Sequence, residues 1–186
     1  MNILSIPKII LTPRRNWLDL ENIPPSLAKL FLLLVLPLSA MPPLLLHYAG
    51  KHYGDAFVYG FAGKPWGTIA IVFFLAEMLT FLGMSWFIGQ VAADHKAQIS
   101  KHDACMLAGI AATPLWLSSL ALLMPNLAFD AVVVLAALAA SCGLIYHGVR
   151  ALCHIDEETS AAAITQTVMG AGLAAWALLL MIVVAL

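Results

Sequence analysis

The chain has 186 residues, of which 62% are hydrophobic and 10% are charged, and its formal net charge is −1. A soluble domain carries about 25% charged residues, so this composition excludes a water-soluble fold and indicates a membrane protein whose first partner is the lipid bilayer. The few basic residues are scattered, which excludes a nucleic-acid partner, and the three cysteines lack the spacing of a disulfide or metal framework.

The first 25 residues are predicted to form a cytoplasmic interfacial segment. Their apolar residues are too few to span a bilayer but enough to form an amphipathic helix in the headgroup layer. Arg14 and Arg15 would face anionic headgroups, and Trp17 would lie at the membrane surface with them. Pro24 and Pro25 then turn the chain into the first long apolar run, which begins too late for a cleavable signal peptide. A disordered tail is the alternative.

Residues 26–186 are predicted to form an all-α, five-helix transmembrane bundle. A bilayer core about 30 Å thick needs roughly 20 apolar residues per helix, and five segments meet that requirement: Leu27–Tyr48, Trp66–Ala92, Asp103–Met124, Leu127–Gly148 and Ser160–Leu186. Pro125 and Asn126 predict a tight turn that makes the third and fourth spans an antiparallel hairpin.

The distribution of basic residues predicts the orientation. Seven of the nine lysines and arginines fall on the side of the N-terminus, and only Lys51 and Lys64 fall on the other side. The positive-inside rule then predicts a cytoplasmic N-terminus and a C-terminus outside, in a multi-pass protein of the bacterial inner membrane.

Glu77 is the residue that is most costly to place in lipid. It lies 11 positions into the second predicted span, about 16 Å deep at 1.5 Å per residue. An acid at that depth indicates an intramembrane functional site or, as the alternative, a structural hydrogen bond to a neighbouring helix. Thr113 and Pro114 in the third span, where a proline distorts the helix, are candidate members of the same site. Asp130, near the outer end of the fourth span, is expected to cap the helix or reach the interface.

Small residues repeat at four-residue spacing in the last two spans and predict close helix packing. Packing inside the bundle is the favoured interpretation, and self-association or association with other membrane proteins is the alternative. The pairs are Ala136 and Ala140, Ala139 and Gly143, and Gly170 and Ala174.

The predicted cytoplasmic loops contain His95, His102 and His154, which are weak candidates for metal ligands. No HxxxH or CxxC pattern supports them, so we expect a solvated polar face, with no metal and no cofactor. The sequence also lacks GxSxG, HExxH, P-loop and dinucleotide-binding patterns, so no enzymatic activity is predicted.

Three strings of the sequence resemble, in their order, bacterial members of the Yip1-domain family of integral membrane proteins: IILTPRRNW (9–17), VLPLSAMPPL (35–44) and AGIAATPLWLSSL (108–120). The resemblance extends over most of the chain and implies five membrane helices with a cytoplasmic N-terminus. Eukaryotic relatives are linked to Rab GTPases and vesicle traffic, roles that a bacterial protein would not share.

Two functions are consistent with these features. The first is a non-enzymatic scaffold, accessory subunit or membrane-shaping protein that acts through its interfacial segment. The second is a transporter or channel for a small solute, ion or lipid that uses Glu77 among proline-distorted helices.

Overall fold

The computed structural model describes residue 17 and residues 26–155 and 157–186, without the side chain of Phe57. Residues 26–186 are almost entirely helical, and the described residues include five helices that are long and apolar enough to cross a membrane. These are Leu27–Ala56, Trp66–Asp94, Lys101–Leu123, Leu127–Leu152 and Glu158–Ala185, called here the first to fifth spans. The five predicted spans are thus confirmed, and the largest difference is at the end of the first span, which extends to Ala56 and not to Tyr48.

The first span is a composite of several helical segments, as its prolines predict. An α-helical turn at Leu27–Leu30 leads into a π-helical segment at Phe31–Val35, and α-helix resumes at Leu36–Ser39 and Met41–Phe57. The π segment ends two residues before Pro37, whose ring would otherwise meet the carbonyl group four residues earlier. The distortion therefore accommodates a residue that cannot sit inside a regular α-helix.

The third and fourth spans form the predicted antiparallel hairpin and pack more extensively than any other pair of spans. The third span ends in a 3-10 turn at Ser119–Leu123, and the fourth begins after Asn126. The side chain of Asn126 accepts hydrogen bonds from the backbone N–H groups of Ala128 and Phe129, both at 3.1 Å. Asn126 is therefore the N-cap of the fourth span, and the expected capping role of Asp130 is wrong.

The second to fifth spans are arranged in a ring. The second packs against the third and the fifth, and the fourth packs against the third and the fifth, while the first lies outside against the second and third. Most of the buried core is one cluster, which includes Leu107, Val149 and Ile164 and extends to Trp17 at one end of the bundle. A smaller cluster around Trp66 stabilises the opposite end.

The small-residue pairs predicted in the fourth and fifth spans do not form close contacts inside the bundle. A Cβ atom added to Gly143 or Gly170 would meet nothing within 4 Å, and Ala139 and Ala174 are exposed. Glycines make close contacts elsewhere, at Gly148 and, in other spans, at Gly50, Gly54 and Gly109. The prediction of internal packing is therefore wrong, because four-residue spacing of small residues does not identify which side of a helix faces the bundle.

A candidate intramembrane site

A cavity of about 520 Å³ lies inside the bundle, and side chains from all five spans line it. The lining is mostly apolar. The polar side chains in it are few and come from the second, third and fourth spans: Glu77, Thr80, Ser118, Ser119, Asp130 and Ser141. The volume lies in the range of about 300–1,000 Å³ that is usual for small-molecule sites, which combine apolar walls with a few polar groups.

Glu77 projects into this cavity from the middle of the second span. Its side chain is only 7% exposed, and it shares a hydrogen bond with the side chain of Trp116 on the third span. The second carboxyl oxygen, Oε2, is buried without a hydrogen-bond partner among the described residues. Glu77 therefore keeps an unsatisfied acceptor at about the middle of the membrane, which is costly for a structural residue alone.

Most other buried polar side chains form hydrogen bonds within their own helices. The hydroxyl groups of Ser39, Thr113, Ser119 and Thr165 each donate to a backbone carbonyl three or four residues earlier, at 2.6 to 3.2 Å. Ser141 is the exception. Its side chain is 1% exposed and lines the cavity, yet its Oγ has no partner among the described residues.

Asp130 is the third polar residue of the cavity with an unsatisfied atom. Its Oδ1 is buried without a partner in the described part of the chain, although the residue lies in the first turn of the fourth span. The sequence contained a signal for this arrangement, because Asn126 stands where an N-cap residue belongs and leaves Asp130 at the fourth helical position. No sequence signal distinguishes Ser141 from the satisfied serines and threonines.

Thr113 and Pro114 do not belong to this site. Both are buried, but neither is among the residues that line the cavity. The Thr113 hydroxyl donates to the Gly109 carbonyl at 3.1 Å, and Pro114 lies inside a helix that continues to Ser118. The lining of the cavity therefore includes Glu77, Trp116, Ser141 and Asp130, and not the Thr-Pro pair.

The three candidate metal ligands in the loops are not grouped. The Nδ1 atom of His95 is 2.9 Å from the Val91 carbonyl, and that of His102 is 3.4 Å from a carboxylate oxygen of Asp103. His154 occupies a turn with a φ of 51°. Over residues 26–155 and 157–186, no three His, Cys, Asp or Glu side chains are placed to hold a metal ion.

Of the predicted membrane-surface residues, Arg14 and Arg15 lie outside the described residues, as does the predicted interfacial helix. Trp17 is described, and its side chain is completely buried. The indole ring lies against Gly148 of the fourth span, within the main core cluster. The ring of Trp17 therefore contacts the helix bundle, whereas the sequence predicts that it lies at the membrane surface.

The sequence was compared with known proteins. The family model described as the Yip1 domain matches residues 8–184 of the chain. No curated protein and no solved structure matches it.

Proposed function

The chain belongs to the Yip1-domain family, and on that premise we propose that it is a non-enzymatic scaffold or accessory protein of the membrane. Its working surface is the N-terminal segment, in which Trp17 packs against one end of the helix bundle. The family is not known for an enzymatic activity, and the match does not favour the transporter alternative. The proposal also includes membrane shaping by the same segment.

The burial of Trp17 is the observation that carries this proposal. A tryptophan buries about 150–250 Å² when it is enclosed, and Trp17 is 0% exposed although it lies before the start of the first span at Leu27. Such a contact anchors the Trp17 side chain to the fourth span. Arg14 and Arg15, which precede Trp17 by three and two residues in the sequence, are proposed to interact with lipid headgroups or with a partner.

The orientation is part of the proposal. Trp17 packs near the end of the fourth span, at Gly148, and Lys29, Lys101 and Arg150 belong to that same end of the bundle. This charge distribution supports a cytoplasmic N-terminus and a C-terminus on the opposite side. The motif resemblance supports the bacterial cytoplasmic membrane as the location.

Copurification of the full-length protein in mild detergent tests the role of the segment. Trp17→Ala should reduce the recovery of the associated proteins at least severalfold, and deletion of residues 2–22 should abolish it. The matched control is Trp86→Ala, because Trp86 is 67% exposed on the second span and its removal leaves the Trp17 contact intact. Unchanged recovery in both the Trp17 variant and the deletion would contradict the proposal.

Tags at the two ends test the orientation separately. The N-terminal tag should be protected from a protease added to the outside of intact cells, and the C-terminal tag should be cleaved. Equal accessibility of the two tags would refute the orientation.

A further inference from the structure

The fourth and fifth spans pack together over only part of their length. Near the Trp17 end, Ile145 and Val168 belong to one core cluster. Towards the other end, no described residue of the fourth span before Ala137 is buried, and Leu179 and Val183 of the fifth span join the cluster of the second span instead. The two spans therefore separate in the half of the bundle that contains Asp130.

The cavity reaches the surface at this separation. Leu173, Trp176 and Leu180 of the fifth span all line the cavity, yet they remain 36–43% exposed. Leu127 of the fourth span also lines it and is 71% exposed. Because both spans are membrane helices by length and composition, this opening faces lipid chains. A molecule dissolved in the bilayer can enter the cavity sideways.

The polar groups inside the cavity define what such a molecule must carry. Within the described part of the chain, Glu77 and Asp130 each have a buried carboxyl oxygen without a hydrogen-bond partner, and the Ser141 oxygen has none either. All three atoms can accept a hydrogen bond. An unsatisfied acceptor in an apolar cavity favours a ligand that supplies a donor, and the surrounding walls favour an apolar body.

From this juxtaposition we infer that the cavity binds a single-chain lipid alcohol or amine. The molecule enters between the fourth and fifth spans and donates a hydrogen bond to Glu77 or Ser141, with its chain along the apolar walls. Trp116 positions the Glu77 carboxyl group through its own hydrogen bond. This site is separate from the Trp17 contact and does not depend on the proposed scaffold role.

Photolabelling of the full-length protein in phosphatidylcholine nanodiscs tests this inference. The probe is hexadecanol with a diazirine in its chain, and the control probe is the methyl ether of the same molecule, which has no donor. The alcohol should label cavity residues such as Leu138 and Trp176 about tenfold more than the ether does, the factor expected for one hydrogen bond to a buried acceptor. Unlabelled hexadecanol and hexadecylamine serve as competitors, and the stronger of the two identifies the donor group.

Two variants connect the labelling to the named side chains. Glu77→Leu and Ser141→Ala should each reduce labelling of the cavity by the alcohol severalfold. Thr167→Val is the matched control. Thr167 is exposed and donates to the Ala163 carbonyl at 2.9 Å, so this substitution removes a hydroxyl group that lies outside the cavity. If Glu77→Leu does not fold, Ser141→Ala still tests the site.

Three results would overturn the inference. The first is equal labelling of the cavity by the alcohol and the ether. The second is labelling spread evenly over exposed residues such as Leu79 and Trp86, which indicates bulk lipid contact only. The third is unchanged labelling in folded Glu77→Leu and Ser141→Ala.

Discussion

Gly148 of the fourth span lies directly against the indole ring of Trp17, and a Cβ atom on Gly148 would stand 3.0 Å from Trp17 Cζ2. The same Cβ would come even closer to Leu107 Cδ1. The absence of a side chain at position 148 therefore makes room for two large side chains in the core. Glycine is needed here for close approach, since its backbone lies within a regular helix.

We expect Gly148→Ala to destabilise the bundle, because an added methyl group must push the Trp17 or Leu107 side chain aside. Overpacking of this kind costs about 1–3 kcal/mol, and 1 kcal/mol shifts the Tm of a protein of this size by about 2–4 °C. Thermal unfolding in detergent, followed by circular dichroism, measures the shift. The control is Gly143→Ala in the same helix, where the added Cβ meets nothing within 4 Å. Equal Tm values for the two variants would contradict the packing described here.

Lys64 stabilises the end of the fifth span. Its Nζ donates to the carbonyl groups of Val183 and Val184 at 3.0 and 2.9 Å, so a cation satisfies two of the last carbonyls of that helix. Lys64→Met should cost about 1 kcal/mol and should speed amide hydrogen exchange over the last turn of the helix. Lys51→Met is the control, because Lys51 is exposed in the first span. Unchanged exchange at the end of the fifth span would argue against this contact.

Asn126 determines where the fourth span begins, since its side chain accepts from two backbone N–H groups of the first turn. Asn126→Ala removes both bonds and should lower the free energy of unfolding by about 1 kcal/mol. Asn126→Asp keeps an acceptor at the same position and should lie close to wild type in the same thermal assay. A Tm for the alanine variant equal to that of the aspartate variant would show that the cap contributes nothing.

The number of spans and the hairpin of the third and fourth spans could be predicted because they depend on hydropathy, length and the Pro125-Asn126 turn. The side of each helix that faces the bundle could not be predicted in the same way. The spans are apolar nearly all round, so the sequence shows how deep a residue lies but not the direction in which it points. The exposed Gly170 and Ala174 illustrate this, since small residues suit a packed face and a lipid-facing one equally well.

The candidate site was predictable only at Glu77, for the same reason. An acid in the middle of an apolar span is conspicuous in the sequence, whereas Ser141 looks like any serine in a membrane helix. Its lack of a backbone partner depends on local geometry that only the structure shows. Thr113 and Pro114 are close to Glu77 in predicted depth, but they do not line the cavity, whereas the adjacent Ala112 and Leu115 do.

Cys153, which directly follows the fourth span, provides a test of the core at the Trp17 end. Burial raises the pKa of its thiol from 9.0 to about 11, and the negative charge of Asp103 acts in the same direction. The fold therefore favours the neutral thiol. The contribution of the buried Cys153 thiol to the free energy of unfolding is complete below pH 9. It is lost as the pH rises from 9 towards 11, because the thiol of the unfolded chain ionises first.

Alkylation measures this shift, because only the thiolate reacts with iodoacetamide. In a protein that carries Cys105→Ser and Cys142→Ser, the alkylation rate of Cys153 should rise with pH to a midpoint near 11 in the folded state. The same protein unfolded in SDS and urea is the control and should show a midpoint near 9, the ordinary value for the thiol. Asp103→Asn should move the folded midpoint part of the way back, since burial remains when the charge is removed. A folded midpoint near 9 would show that Cys153 is open to water and that the core ends before this residue.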